Sequence, residues 1–180
     1  MNTDDFVQYF ESYFPHVEKV DWQSWLYTPG MPPLAIDFST KLEQQCRQLA
    51  SDYHSISSEQ LNALNANQIA YLLNILLNQS STTITYEKIK QMNSNCRMNR
   101  FSNCEICYRW YQLCIRVQYT EVLEEIFKFL GSTCRMKYLK VMYSEFKSSW
   151  PEMMTRVNEF FLEHQKYMHP IAIKQIELRL

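Results

Sequence analysis

Glycine is almost missing from this chain. Only Gly30 and Gly131 occur in 180 residues, far below the usual share of roughly 7%. Hairpin turns, glycine-rich phosphate loops and left-handed connections therefore have almost no raw material. A Rossmann domain and a P-loop are excluded, because both need clustered glycines. An excess of one charge is also missing: the formal net charge is −1 and the pI about 6.4, so no overall field draws the chain to nucleic acid or to an acidic membrane. Long apolar runs are missing too. The longest, Ile69 to Leu77, is interrupted by Asn74, well short of the ~20 residues of a membrane span. Met1 to Asp5 are polar and acidic, where a secretory signal needs basic and then apolar residues. The expectation is a cytoplasmic protein without nucleic-acid or membrane partners.

The residues that are present point to one globular core. Hydrophobic residues make up 46% and charged residues 21%, and a chain of this length buries roughly 70% of its unfolded surface. Twelve Tyr, ten Phe, nine Met and four Trp favour bulky helix packing with few tight turns. Six cysteines without an export signal read as reduced thiols. The balanced net charge hides a gradient. Residues 1–66 hold nine acids and three bases, whereas 86–118 hold two acids and six bases. The basic stretch is interleaved with Tyr and Trp, but a solvated helix face is a plainer reading than an RNA surface.

Hydrophobic spacing predicts helix after helix. Phe6, Tyr9, Phe10, Tyr13 and Phe14 follow one helical face until Pro15. The stretch Asp21 to Pro33, DWQSWLYTPGMPP, reads as a linker over 21–38. Trp22, Trp25 and Leu26 pin it, Pro29-Gly30 suits a type II turn, and Pro32-Pro33 extends the chain. Ser39 is the expected N-cap of a helix bearing Leu42, Cys46, Leu49 and Tyr53. Ile69 to Leu77 and Tyr86 to Met92 give two more. Ser102 and Glu105 form an S-x-x-E capping box for a helix with Ile106, Trp110, Leu113, Cys114 and Val117 on its face. Val122 to Leu130 is expected to close at Gly131 in the C′ role. Met136 to Phe146 follows, then a helix started by Ser149 and Pro151 that runs through His164 and ends at His169-Pro170. No period-two alternation lasts long enough for a strand. The chain reads as all-α, roughly seven or eight helices of about 10 to 18 residues in stacked antiparallel pairs.

Complete active sites are not found. H-E-x-x-H is absent, and His164 and His169 at i, i+5 point to different helix faces. Cys104 and Cys107 form a C-x-x-C inside a capped helix with no second pair at zinc-ribbon spacing, so core or boundary thiols are the plainer reading than metal ligands. There is no G-x-S-x-G, and Glu124 and Glu125 are adjacent on a helix and so diverge. One segment stands out, Gly131 to Tyr138. There Arg135 and Lys137 stand near the start of a helix, where two cations and free backbone N–H groups make an anion site. On the residues alone a solvated basic pair is the plainer reading.

Several motifs in order resemble one family. DWQSWLYTPGMPP is similar to the W-x-x-W-L-x-x-P-G-x-P-P segment that introduces the C-terminal domain of the leukotriene A4 hydrolase and aminopeptidase B group of M1 zinc metallopeptidases. Tyr108-Arg109-Trp110 with Leu113-Cys114 resembles that family's R-W-x-x-L helix. CRMKY at 134–138 resembles G-R-M-K-F and continues through Val141 to Phe146, and HQKYMHP at 164–170 resembles the closing H-x-x-x-M-H-P. The resemblance runs from about Phe6 to Leu180, and the intact R-M-K favours the hydrolase branch.

The resemblance implies an armadillo-like α-α superhelix of about seven to nine helices, packed against a separate catalytic domain that holds the zinc. By resemblance, the catalytic residues and the metal ligands lie in that other domain, and this chain needs no cofactor of its own. Arg135 and Lys137 match the pair that holds the carboxylate of a peptide or of a fatty-acid epoxide. Residues 1–20, with the helix 6–14, read as the end of the catalytic domain, 21–38 as the linker and 39–180 as the helical domain. Two departures stand out: Cys134 replaces the glycine before Arg135, and the zinc helix and the G-x-M-E-N loop are absent. A stand-alone helical scaffold, binding protein through its concave surface or through Phe6, Tyr9, Phe10 and Tyr13, remains the alternative function.

Overall fold

The computed structural model describes residues 2–31, 40–80 and 82–180. Among these residues the chain forms eleven α-helices and no strand. It divides into two compact units, Met1–Ser39 and Thr40–Leu180.

The first unit is an aromatic helix pair. Asn2 and Asp5 form a reciprocal capping box that starts α1 (Thr3–Tyr13). Within the stretch read as a linker, Asp21 accepts from the Ser24 N–H and opens a short helix, α2 (Trp22–Leu26). Trp22 meets Phe6 and Phe10 edge-on at 6.1 and 5.4 Å, and its indole N–H donates to Glu11 at 2.9 Å. Gly30 has φ of 120°, a conformation that its missing Cβ makes accessible. Pro32 and Pro33 lie outside the described residues. No described residue of this unit is buried, and Tyr9 and Tyr13 remain about two-thirds exposed.

The second unit is a two-layered α-α superhelix. Its helices are α3 (Lys41–Ser51), α4 (Ser58–Asn62), α5 (Ala66–Leu77), α6 (Tyr86–Cys96), α7 (Cys104–Arg116), α8 (Leu123–Ser132), α9 (Met136–Ser149), α10 (Met154–His164) and α11 (Pro170–Glu177). The odd-numbered helices pack in sequence, α3 on α5, α5 on α7, α7 on α9 and α9 on α11, while α6 and α8 pack on α7 and α10 on α9. Leu72, Leu73 and Leu76 of α5, Leu113 of α7 and Phe146 of α9 are wholly buried between the layers. Each such side chain removes apolar surface worth roughly 1.5–3 kcal/mol from water. No helix of the described residues is long and apolar enough to cross a membrane.

Several boundaries differ from the sequence reading, each for a local reason. Thr40, not Ser39, caps α3 by accepting from the Glu43 N–H at 3.1 Å, and Ser39 lies outside the described residues. Tyr53 falls beyond α3 in a 3-10 turn, still buried. Asn103, not Ser102, caps α7. Ser149 is the last residue of α9, and a 3-10 turn at Pro151–Met153 precedes α10. His169-Pro170 does more than end a helix: His169 Nδ1 accepts from the Ile171 N–H, and Pro170 opens α11.

Gly131 is the most informative correction. It lies inside α8, which ends one residue later at Ser132, and it is not left-handed. A Cβ there would meet the rings of His164 and Phe160 at 3.3 Å, so the glycine allows α8 and α10 to approach closely. Among the described residues of this unit the left-handed connections are made instead by two non-glycine residues, Arg97 (φ 50°) at the end of α6 and Gln118 (φ 58°) after α7.

Candidate functional site

The site is built where α7 and α9 begin. The two helices lie side by side and run parallel, since the start of α7 meets the start of α9 and the end of α7 meets its later turns. Eight of the thirteen residues of α7 are buried, because it is flanked by α5 and α9 in its own layer and backed by α6 and α8.

Asn103 Oδ1 accepts from the Glu105 N–H at 2.8 Å, so the backbone is capped without the Glu105 side chain. That carboxylate turns across to α9 instead. Lys137 Nζ donates to its two oxygens at 2.8 and 2.7 Å, the Tyr138 hydroxyl donates to Oε1 at 2.9 Å, and Arg109 Nη1 donates to Oε2 at 2.8 Å. Arg109 also reaches the Glu105 carbonyl at 2.7 Å. Arg135 stands at the edge. Its Nη1 donates to the Tyr138 hydroxyl at 3.1 Å and lies 4.0 Å from Glu105 Oε1. Tyr108 and Tyr138 stack at 4.8 Å and form an aromatic floor, with Lys137 5.6 and 5.8 Å from the two ring centres and Arg135 5.2 Å from that of Tyr138.

The electrostatics follow from the count. Three cations, Arg109, Arg135 and Lys137, face the single carboxylate of Glu105, leaving two positive charges in excess. Hydrogen bonds from Lys137 and then Arg109 hold the Glu105 carboxyl at about 2, against the opposing effect of burial. Burial, with the bond to Glu105, raises the Tyr138 hydroxyl above its ordinary value and keeps it a donor. Arg135 is the N-cap residue of α9, and no side chain caps that helix. An exposed guanidinium, an ammonium and a helix N-terminus share one edge, an arrangement that can take a carboxylate in two-point fashion. Cys134, in place of glycine, is accommodated without left-handed backbone; it is exposed, with Sγ 3.8 Å from the Tyr167 carbonyl.

The other candidates are not brought together. Cys104 is exposed and Cys107 is buried, its Sγ donating to the Phe101 carbonyl at 3.1 Å, and burial pushes its thiol up to about 11. His164 stacks on Phe160 at 3.9 Å, while His169 serves as a helix cap. Glu124 pairs with Arg156 at 2.6 Å. Among the described residues, no three His, Cys, Asp or Glu side chains are placed to hold a metal ion. All six cysteines are free thiols.

Glu105, Arg109, Tyr108 and Tyr138 belong to the site without having been assigned to it from the sequence. A signal for part of it exists: Glu105 and Arg109 are an i, i+4 acid-base pair. Their meeting with Lys137, 32 residues on, has no local signature.

Comparison with known proteins gives a consistent result. The family model described as leukotriene A4 hydrolase, C-terminal, matches residues 64–180, a span that holds the whole cluster. The chain is similar to leukotriene A-4 hydrolase of Xenopus laevis, 28% identical over 184 residues, covering 96% of this chain and 30% of the relative. It is also similar to leucine aminopeptidase 2-1 of Meyerozyma guilliermondii, 29% identical over 161 residues, covering 79% and 26%. In fold it matches native yeast LTA4 hydrolase with a TM-score of 0.86 at 20% identity, covering 99% of this chain and 32% of that one. The chain thus spans less than a third of the length of these curated relatives.

Proposed function

Because the chain belongs to the leukotriene A4 hydrolase C-terminal family, we propose that it is the non-catalytic helical part of a zinc aminopeptidase or epoxide hydrolase and that it helps to hold the substrate's carboxylate. The observation that supports this most is the edge formed by Arg135 and Lys137, where an arginine with an exposed fork stands two residues from an ammonium, over stacked tyrosines and with surplus positive charge. In this reading the zinc and the bond-breaking groups belong to a catalytic domain that is the partner in cis, and the setting is the cytoplasm. The chain's own contribution is positioning. Fixing a terminal carboxylate sets which bond of a peptide or fatty-acid epoxide lies over the reacting centre, and a misplacement of ~1 Å costs on the order of 100-fold in rate.

The test is discrimination between a free acid and its amide. The purified chain is expected to bind trialanine with a free C-terminus and to ignore trialanine amide, and Arg135→Ala is expected to remove the difference. Equal binding of acid and amide by the unaltered chain would overturn the reading. Joined to a catalytic domain of the family, Arg135→Ala is expected to lower turnover of free-acid substrates while zinc content stays the same.

A further inference from the structure

Of the two cations, Lys137 is already engaged, because a carboxylate of the protein holds it. We propose that Glu105 is the resident counter-ion of this anion site, a tethered competitor from which an incoming carboxylate must draw Lys137 away. The inference rests on the reading of Arg135 and Lys137 as carboxylate binders, and it adds what sets their affinity.

Lys137 has three N–H donors, and Glu105 lies within hydrogen-bond distance of its ammonium through both carboxylate oxygens. An incoming carboxylate that is to bind Lys137 as closely must therefore draw the ammonium off Glu105. Arg135 is the most available partner: its guanidinium makes one hydrogen bond among the described residues, to Tyr138, and its side chain is 62% exposed. Glu105 would not be left bare, since Arg109 and Tyr138 hold it independently of Lys137. Three cations against two carboxylates still leave one positive charge, so the cluster can hold both anions. The repulsion between the two carboxylates is what the resident group costs the ligand. At a few ångströms in a half-exposed setting that repulsion is worth about tenfold or more in affinity. An organising role for Glu105, holding Lys137 over the tyrosines, would act in the opposite direction, and loss of one exposed ion pair is the smaller effect.

The experiment titrates the purified chain with free-acid trialanine and with trialanine amide, following affinity and the carbon resonance of the Glu105 carboxyl. In the unaltered chain the acid is expected to shift that resonance as Lys137 leaves, and the amide to leave it in place. Glu105→Gln is expected to bind the acid about tenfold more tightly. If Glu105→Gln binds no more tightly while Arg135→Ala still weakens acid binding roughly tenfold or more, the counter-ion role is overturned and the carboxylate site stands. An unmoved Glu105 resonance at saturation has the same meaning and needs no variant. Acid and amide bound alike, before and after Glu105→Gln, would overturn both.

Discussion

Glu145 and Glu105 sit at different heights on the same α7–α9 seam, and each is gripped by an arginine of α7, yet the two clusters are built differently. Glu145 is buried. Arg116 donates to it at 3.0 and 3.1 Å, Gln112 at 2.8 Å and Ser149 at 2.8 Å. Arg116 also donates to the Leu77 carbonyl at 2.6 Å, which ties in the end of α5. Burial raises the Glu145 pKa, and the bonds from Arg116, Gln112 and Ser149 outweigh it and hold the group below its ordinary value. One cation answers one carboxylate there, and the side chain of Glu145 is 9% exposed. At Glu105 three cations answer one carboxylate that is 35% exposed. A balanced, buried cluster fastens helices, whereas the unbalanced one at the rim keeps positive charge uncompensated.

The largest expected effect lies at the fastener. Arg116→Met leaves a buried carboxylate without its cation and should destabilise the chain by about 3 kcal/mol or more, measured as a drop in the urea midpoint. A change below about 1 kcal/mol would erase the distinction between the clusters, because that is the range of exposed pairs. Next comes Arg135→Ala, expected to lose roughly tenfold or more in free-acid trialanine affinity while thermal unfolding barely moves. A large stability loss with unchanged binding would reverse the assignment. Lys137→Met should cost stability by no more than about 1 kcal/mol, since Arg109 and Tyr138 keep hold of Glu105.

The smallest effect is in the acid dependence of stability. Both carboxyls are depressed in the folded chain, Glu105 to about 2. Their contribution is therefore complete above the ordinary carboxylate value near ~4.3 and is lost as pH falls toward the folded value. Unfolding free energy followed from pH 6 down to the acid limit should decline less steeply in Glu105→Gln than in the unaltered chain. An unchanged slope would show that the rim cluster contributes nothing to acid stability.

Much of this architecture was legible from spacing. The apolar stripes of α5, α7, α8 and α10 fall where the sequence places them, because a helix must bury one face whatever its neighbours are. Burial of α7 nearly all round was not legible: Cys107, Tyr108, Tyr111 and Ile115 are buried only because helices pack on both sides of it. The caps erred by one residue at Thr40 and Asn103, where neighbouring Ser, Thr and Asn all carry a suitable oxygen and backbone geometry chooses among them. Arg135 and Lys137 were visible as two cations close together in one short segment, while Glu105 read as a cap.

The scarcity of glycine shows where the division lies. By itself the sequence determined that the chain is all-helical, that glycine-dependent phosphate folds are excluded and that two cations stand at a helix start, since these depend on residue type and on the 3.6-residue period alone. Only the tertiary structure decided that Gly131 is a contact between α8 and α10 instead of a helix stop, and that left-handed turns fall to Arg97 and Gln118. It also decided that Glu105 faces Lys137 across 32 residues. The physical reason is that those outcomes depend on which helix lies beside which, and packing distance between segments is written in no local pattern.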